Sequence, residues 1–375
     1  MSSQSIKVML VDDSAVIRGM VKRMVEGADD IDIISSAANG EAAIKQLKTT
    51  PVDVIVLDIE MPVMDGLTAL PKLLAVDPGV NILMSSTLTL ENAEISMQAL
   101  KLGATDYIPK PTSVGAMGSA SEFKTDLLNK IRAVGQASIS KRRPNVIART
   151  TSPVSSGRVT DVSPQRPLKS KEFTLRPATS KVRPDIIAIG SSTGGPKALL
   201  EVLKNIRSNV TAPIIITQHM PANFTEILAK HIHGACGRPS AEAKDGETIV
   251  PGHVYVAPGG FHMTVESEGT RRILRTNQDP PENFCRPAVD PMLRSVAKIY
   301  GNRALAVILT GMGTDGAKGG RMIVDAGGTV IAQDEQTSVV WGMPGTAAAA
   351  GICSAVLPLE QMAPYISDFL LKGAA

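Results

Sequence analysis

The sequence predicts an α/β protein made of two doubly wound parallel-sheet domains joined by a basic linker. Short apolar runs alternate with helical patterns over residues 1–135 and again over 185–375. Most of these runs are continuously apolar rather than alternating, so helices must cover both faces of each sheet. Between the two units, residues 136–184 hold eleven Lys and Arg, two acids (Asp161 and Glu172) and six prolines among many Ser and Thr. That stretch carries a charge of +9 in a chain of net +3, and it has too little apolar surface to fold alone. It reads as an extended linker or as an arm for nucleic acid or an acidic partner. The lack of a recognisable DNA-reading helix after the first unit favours the linker.

A length of 375 residues fits about two domains. At 43% hydrophobic but only 3% aromatic, the cores must be built from Val, Ile, Leu, Met and Ala. No apolar run approaches the roughly 20 residues of a membrane span. Met1 to Lys7 is polar and leads straight into a strand, unlike a signal peptide. Cys236, Cys285 and Cys353 form neither a disulfide framework nor a zinc pattern, which predicts a reducing, cytoplasmic setting.

In the first unit, Ile6 to Val11 ends in Asp12 and Asp13, and a helix is expected over Ser14 to Glu26. Val52 to Leu57 ends in Asp58, Asn81 to Met84 leads into Ser85, Ser86 and Thr87, and Tyr107-Ile108 precedes Pro109-Lys110-Pro111. In parallel sheets, functional groups collect beyond the carboxyl ends of the strands. Here those ends carry Asp12, Asp13, Asp58, Ser86 and Lys110. Three gathered carboxylates need a cation, and oxygen donors suit a hard ion such as magnesium.

The strings Leu-Val-Asp12-Asp13-Ser, Val-Leu-Asp58-Ile-Glu-Met-Pro-Val-Met-Asp-Gly and Pro-Lys110-Pro resemble a response-regulator receiver domain, a flavodoxin-like fold. The resemblance implies that Asp58 is phosphorylated by a histidine kinase. Asp12 and Asp13 would help to hold magnesium with Asp58, Lys110 would contact the phosphoryl group, and Ser86 would sense it. A carboxylate attacking phosphorus needs the metal to neutralise the transferring oxygens.

In the second unit, Ile186 to Ile189, Ile214 to Thr217, Ala304 to Leu309 and Thr329 to Ala332 are expected as parallel strands. Gly252 to Ala257, Phe261 to Glu266 and Arg271 to Arg275 are expected as short hairpin strands. Gly190-Ser-Ser-Thr-Gly-Gly195 follows the first strand, and a helical pattern begins at Pro196. A serine there lies among free backbone N–H groups that favour an oxyanion. His219 lies just past the second strand and Asp315 just past the third. Taken singly, Ser192 and Asp315 read as helix caps and His219 as a loop histidine. Taken together, they form the set that a nucleophile, a base and an orienting acid require.

The order Ser–His–Asp differs from that of α/β-hydrolases, and the Gly-x-Ser-x-Gly elbow is absent. Gly311-Met-Gly313-Thr-Asp-Gly316 also fits a dinucleotide fingerprint, with Asp334 as its ribose-binding acid. That reading gives Ser192 and His219 no role.

The strings Ile-Gly-Ser-Ser-Thr-Gly-Gly-Pro, Ile-Thr-Gln-His-Met-Pro, Tyr-Val-Ala-Pro-Gly-Gly-Phe-His-Met, Arg-Pro-Ala-Val-Asp, Leu-Thr-Gly-Met-Gly-Thr-Asp-Gly and Gly-Met-Pro-Gly together resemble the chemotaxis methylesterase (CheB) family. The resemblance implies a Rossmann-like catalytic domain with a small antiparallel hairpin. It makes Ser192 the nucleophile, His219 the base, Asp315 the acid and the Met312 N–H an oxyanion donor. It implies demethylation of glutamate methyl esters and deamidation of glutamines on chemoreceptors. No cofactor is expected for the ester chemistry, and neither membrane insertion nor nucleic-acid binding is expected. Cys285 stands where some members carry histidine, and His253 and His262 are expected to be structural.

Overall fold

The computed structural model describes residues 5–87, 89–110, 117–142, 173–177 and 182–372. The first unit is a five-stranded sheet ordered β2-β1-β3-β4-β5. It comprises β1 (Ile6–Val11), β2 (Ile31–Ala37), β3 (Val54–Asp58), β4 (Asn81–Ser86) and β5 (Asp106–Pro109), all paired in parallel. The helices are α1 (Ala15–Val25), α2 (Gly40–Leu47), α3 (Gly66–Val76), α4 (Leu90–Leu102) and α5 (Met117–Arg142). Ser14, Asn39, Asp65 and Thr89 start the first four by accepting a backbone N–H with their side chains. Asp32, Ser35 and Ser36 interrupt the apolar run of β2, and an edge strand tolerates this because one side faces water.

The second unit has seven parallel strands ordered β14-β13-β12-β6-β7-β9-β8. They are β6 (Ile186–Ser191), β7 (Ile214–Gln218), β8 (Ser240–Glu242), β9 (Val254–Val256), β12 (Ala304–Ile308), β13 (Thr329–Gln333) and β14 (Ala355–Leu357). Strands β10 (His262–Glu268) and β11 (Arg271–Asn277) form the expected antiparallel hairpin. The surrounding helices are α6 (Gly195–Asn205), α7 (Phe224–Cys236), α8 (Val289–Tyr300), α9 (Ala317–Asp325), α10 (Met343–Ala349) and α11 (Leu359–Lys372). The expectation of a hairpin strand over Gly252 to Ala257 is corrected. Val254–Val256 is a fully buried strand of the main sheet, parallel to β7 and β8. Its flanking Gly and Pro turns imitate a hairpin, but its apolar side chains are covered on both faces.

The stretch expected as a linker carries structure at both ends. Helix α5 runs on to Arg142, while Phe173 lies against Trp341 and the Arg176 N–H donates to the Cys353 carbonyl. Residues 143–172 lie outside the described residues.

The two units meet face to face. Helix α4 packs on α6 and α7. The Tyr107 ring stacks on Phe224 with centroids 4.4 Å apart, and His231 Nε2 lies 3.0 Å from Glu94 Oε1. Val340 is buried in the apolar cluster that includes Phe123 and Leu127 of α5, with Met312 and Val339 packed against it.

Candidate active site and phosphoacceptor site

The carboxyl ends of β1 and β3 bring one oxygen each from Asp12, Asp13 and Asp58 within 4.8 Å of one another. Lys110, just past β5, places Nζ 3.0 Å from Asp12 Oδ2 and 2.7 Å from Asp58 Oδ1. Burial raises the Asp58 carboxyl to about 6, with Lys110 pulling it down and the Asp12 charge adding to the rise. Ser86 at the end of β4 lines the same cleft and donates its hydroxyl to the Thr87 carbonyl. All five residues expected here from the sequence converge. An all-oxygen donor set with one exposed carboxylate fits a hard divalent ion such as magnesium.

In the second sheet, β6 lies between β7 and β12, so the loops following these three strands meet at one edge. Ser191 is the last residue of β6, wholly buried, and its Oγ lies 2.6 Å from Gln218 Oε1. Ser192, the next residue, is half-buried, and no hydrogen bond among the described residues engages its hydroxyl. Its carbonyl accepts from Gln218 Nε2, and its N–H donates to the Thr310 carbonyl. Gly194 then turns the chain into α6 with φ of 75°, where a Cβ would come within 2.6 Å of Val339.

His219 follows β7, and its N–H donates to the Ser191 carbonyl at 3.1 Å. Its Nε2 lies 2.8 Å from Asp315 Oδ2 and its Nδ1 lies 3.3 Å from Cys285 Sγ. Burial opposes charge on this ring, yet the hydrogen bonds to Asp315 and Cys285 outweigh it and hold its proton to about 10. Asp315 is buried but well satisfied. It accepts the N–H groups of Val289, Asp290 and Gly316 and the side-chain amide of Asn283. Burial alone would raise its carboxyl. His219 and the α8 N-terminal amides outweigh burial and hold it below the usual range.

Gly311 lets the third loop approach the serine, since a Cβ there would lie 2.9 Å from the Ser192 Cβ and 2.4 Å from Met343 Sδ. The next residue, Met312, has an N–H that makes no hydrogen bond among the described residues. His262 is buried, with its ring between the Pro280 carbonyl and the Ala288 N–H, and the His253 ring lies 3.2 Å from the Pro251 carbonyl through Nδ1. Asp334 is occupied by Thr337, capping its own turn instead of waiting for a ribose.

Sequence reasoning missed Asn283, Asp290 and the contact of Cys285 with His219. Asp290 accepts the N–H groups of Gly316 and Gly319, so it fixes the Asp315 loop onto α8. The Arg-Pro-Ala-Val-Asp string marks this segment, though nothing in its spacing reveals what it touches.

A carboxylate–lysine cleft on one sheet and a serine–histidine–aspartate edge on the next describe a hydrolase controlled by a receiver. The CheB methylesterase model matches residues 187–366, and the response regulator receiver domain model matches residues 8–121. A protein-glutamate methylesterase/protein-glutamine glutaminase 1 of Paramagnetospirillum magneticum is 56% identical, covering 97% of this chain and 96% of its own length. A protein-glutamate methylesterase/protein-glutamine glutaminase of Azospirillum brasilense is 54% identical over 98% of this chain and 94% of its own. The crystal structure of the Thermotoga maritima CheB methylesterase catalytic domain is 41% identical, covering 50% of this chain and all of that one, with a TM-score of 0.49. The chain belongs to the CheB methylesterase family and carries the family's receiver domain.

Proposed function

We propose that Ser192, His219 and Asp315 carry out the family's reaction in this chain, the hydrolysis of glutamate methyl esters and glutamine amides on chemoreceptors. The observation that carries the reading is the His219–Asp315 pair held beside the Ser192 loop. Asp315 occupies Nε2, so Nδ1 is the nitrogen left to receive the serine proton. Ser192 attacks the side-chain carbonyl, and the Met312 N–H with the amides entering α6 faces the developing oxyanion. Protonated His219 returns its proton to the leaving methanol or ammonia. Water, activated by the same base, then releases the glutamate. None of these steps calls for a cofactor.

Asp58 is the phosphoacceptor in this reading, and the chemotaxis histidine kinase is its donor. Asp12, Asp13 and Asp58 would hold magnesium, which when bound neutralises charge on the transferring phosphoryl oxygens. Lys110 contacts the phosphoryl group, and Ser86 registers it. The unphosphorylated receiver covers the serine edge, a reading supported by Val340, Met312 and Val339 packing with the receiver cluster. Receiver and catalytic domains are assigned to 1–135 and 185–375. No helix among the described residues is long and apolar enough to cross a membrane. The proposed setting is the cytoplasm, with no nucleic-acid partner.

The test is methanol release from membranes bearing methylated receptors, with and without acetyl phosphate and magnesium. The reading expects release to be stimulated by the phosphodonor and lost in S192A. Undiminished release by S192A would overturn the assignment of the nucleophile.

A further inference from the structure

Both ring nitrogens of His219 are engaged, Nε2 by Asp315 and Nδ1 by the Cys285 thiol. Cys285 is brought there by a tight turn in which the Glu282 N–H donates to the Cys285 carbonyl at 3.1 Å and the Cys285 N–H returns to the Glu282 carbonyl at 2.9 Å. Between them, Asn283 and Phe284 both have left-handed backbones, with φ of 52° and 63°. Two consecutive non-glycine residues at positive φ are unfavourable and persist only where their surroundings hold them. Burial of Phe284 is no compensation, because its side chain is fully exposed. The turn is held by polar contacts. Arg294 grips both carboxylate oxygens of Glu282, and Asn283 Nδ2 donates to Asp315 Oδ1 at 3.0 Å and to Asp290 Oδ2 at 3.2 Å. One strained turn thus touches the acid through Asn283 and the base through Cys285.

We propose that Cys285 is a positioning residue of the hydrolysis: it holds the His219 nitrogen that must receive the Ser192 proton, and it yields that nitrogen when the serine is activated. The proposal rests on the triad reading given above. A base with a partner on each nitrogen is parked, and the two partners keep it protonated further into the alkaline range than an ordinary imidazole. A thiol suits this part because its sulfur is a weak hydrogen-bond partner, which a hydroxyl can displace at little cost. No covalent step at sulfur is involved. The thiol sets where the ring points and how readily it loses its proton.

The experiment compares the full-length chain with C285A and C285S, each with acetyl phosphate and magnesium, by methanol release from methylated receptor membranes from neutral pH to beyond about 10, with release by S192A subtracted as the background. Taking each variant as a ratio to the parent at every pH removes any effect of pH on the receiver that they share. The acid limb of kcat/KM should move to lower pH in C285A, by roughly one unit, or about tenfold in rate on that limb. The change should fall on kcat rather than KM. C285S, whose hydroxyl can also engage Nδ1, should bring the limb back toward the parent. It also covers the case in which C285A folds poorly. Coincident acid limbs in all three proteins would overturn the proposal, as would equal shifts in C285A and C285S. Retained activity in S192A would instead overturn the triad reading beneath it, so the two failures are distinguishable.

Discussion

Tyr107 of the receiver and Phe224 of the catalytic domain stack with their rings 11° from parallel. Tyr107 lies three positions before Lys110 along the same chain end, and Phe224 is the first residue of α7, which follows the His219 loop. The contact therefore joins a residue beside the phosphoacceptor cleft to one beside the candidate base. Tyr107→Ala should raise unphosphorylated methanol release and narrow the stimulation by phosphodonor. Removing a buried aromatic should also cost about 3–5 kcal/mol of stability. A lower melting temperature with an unchanged basal rate would remove this stack from the inhibitory contact.

The two neighbouring serines should separate cleanly. Ser192→Ala should abolish ester hydrolysis and leave the melting temperature near that of the parent, since no hydrogen bond among the described residues engages its hydroxyl. Ser191→Ala should keep much of the activity and lose about 1 kcal/mol, because it deletes a buried hydrogen bond to Gln218. Parallel activity and thermal-melt measurements read both outcomes. The reverse pattern would reassign the nucleophile.

Asp315→Asn should lower turnover by up to about 10⁴-fold, the scale seen when a triad acid loses its charge and the histidine tautomer is wrong. It should also destabilise the fold, since an amide nitrogen would be directed at a position surrounded by donors from Val289, Asp290, Gly316 and Asn283. Because the folded-state pKa of Asp315 is depressed, its contribution to stability is present above the ordinary carboxylate pKa and is lost as pH falls through the folded value. The difference in melting temperature between parent and variant should accordingly shrink in acid.

Asp58 has the opposite sign. Its carboxyl is raised to about 6, so the folded state favours the protonated form and that stability is lost as pH rises from its ordinary 3.8 through about 6. At neutral pH in chelator, Asp58→Asn should melt higher than the parent. Magnesium should stabilise the parent much more than the variant. Equal stabilisation of both would place the ion elsewhere.

Removal of the receiver and its repair should differ. A chain beginning at Phe173 keeps the contacts of Phe173 and Arg176 with the catalytic domain, and it should hydrolyse the ester constitutively. Full-length Asp58→Asn should stay at the basal rate with or without phosphodonor. A truncated enzyme no faster than the unphosphorylated parent would point to activation by positive contacts instead of release of a cover.

The strand-end residues could be read from the sequence because a parallel sheet presents its carboxyl ends at one edge. Once the apolar runs were placed, Asp12, Asp58 and Lys110 had to approach one another, as did Ser192, His219 and Asp315. Asn283 and Cys285 obey no such rule. They sit in an aperiodic stretch, and only the tertiary approach of their turn to β7 and β12 defines their partners. The Tyr107–Phe224 contact was equally hidden, since local patterning carries no record of how two units dock. Strand β9 was misassigned because three buried residues between turns have too short a pattern to distinguish parallel from antiparallel pairing.

The face formed by α4 and Tyr107 is filled by a neighbour on the same polypeptide, with only residues 143–172 between Arg142 and Phe173. Such tethering turns the docking of the two units into an intramolecular event with its own effective concentration. Dilution leaves that figure unchanged. Basal hydrolysis per molecule should thus be the same in a crowded cell as in a dilute cuvette, whereas any separate protein seeking the same face would have to outcompete a ligand that never diffuses away.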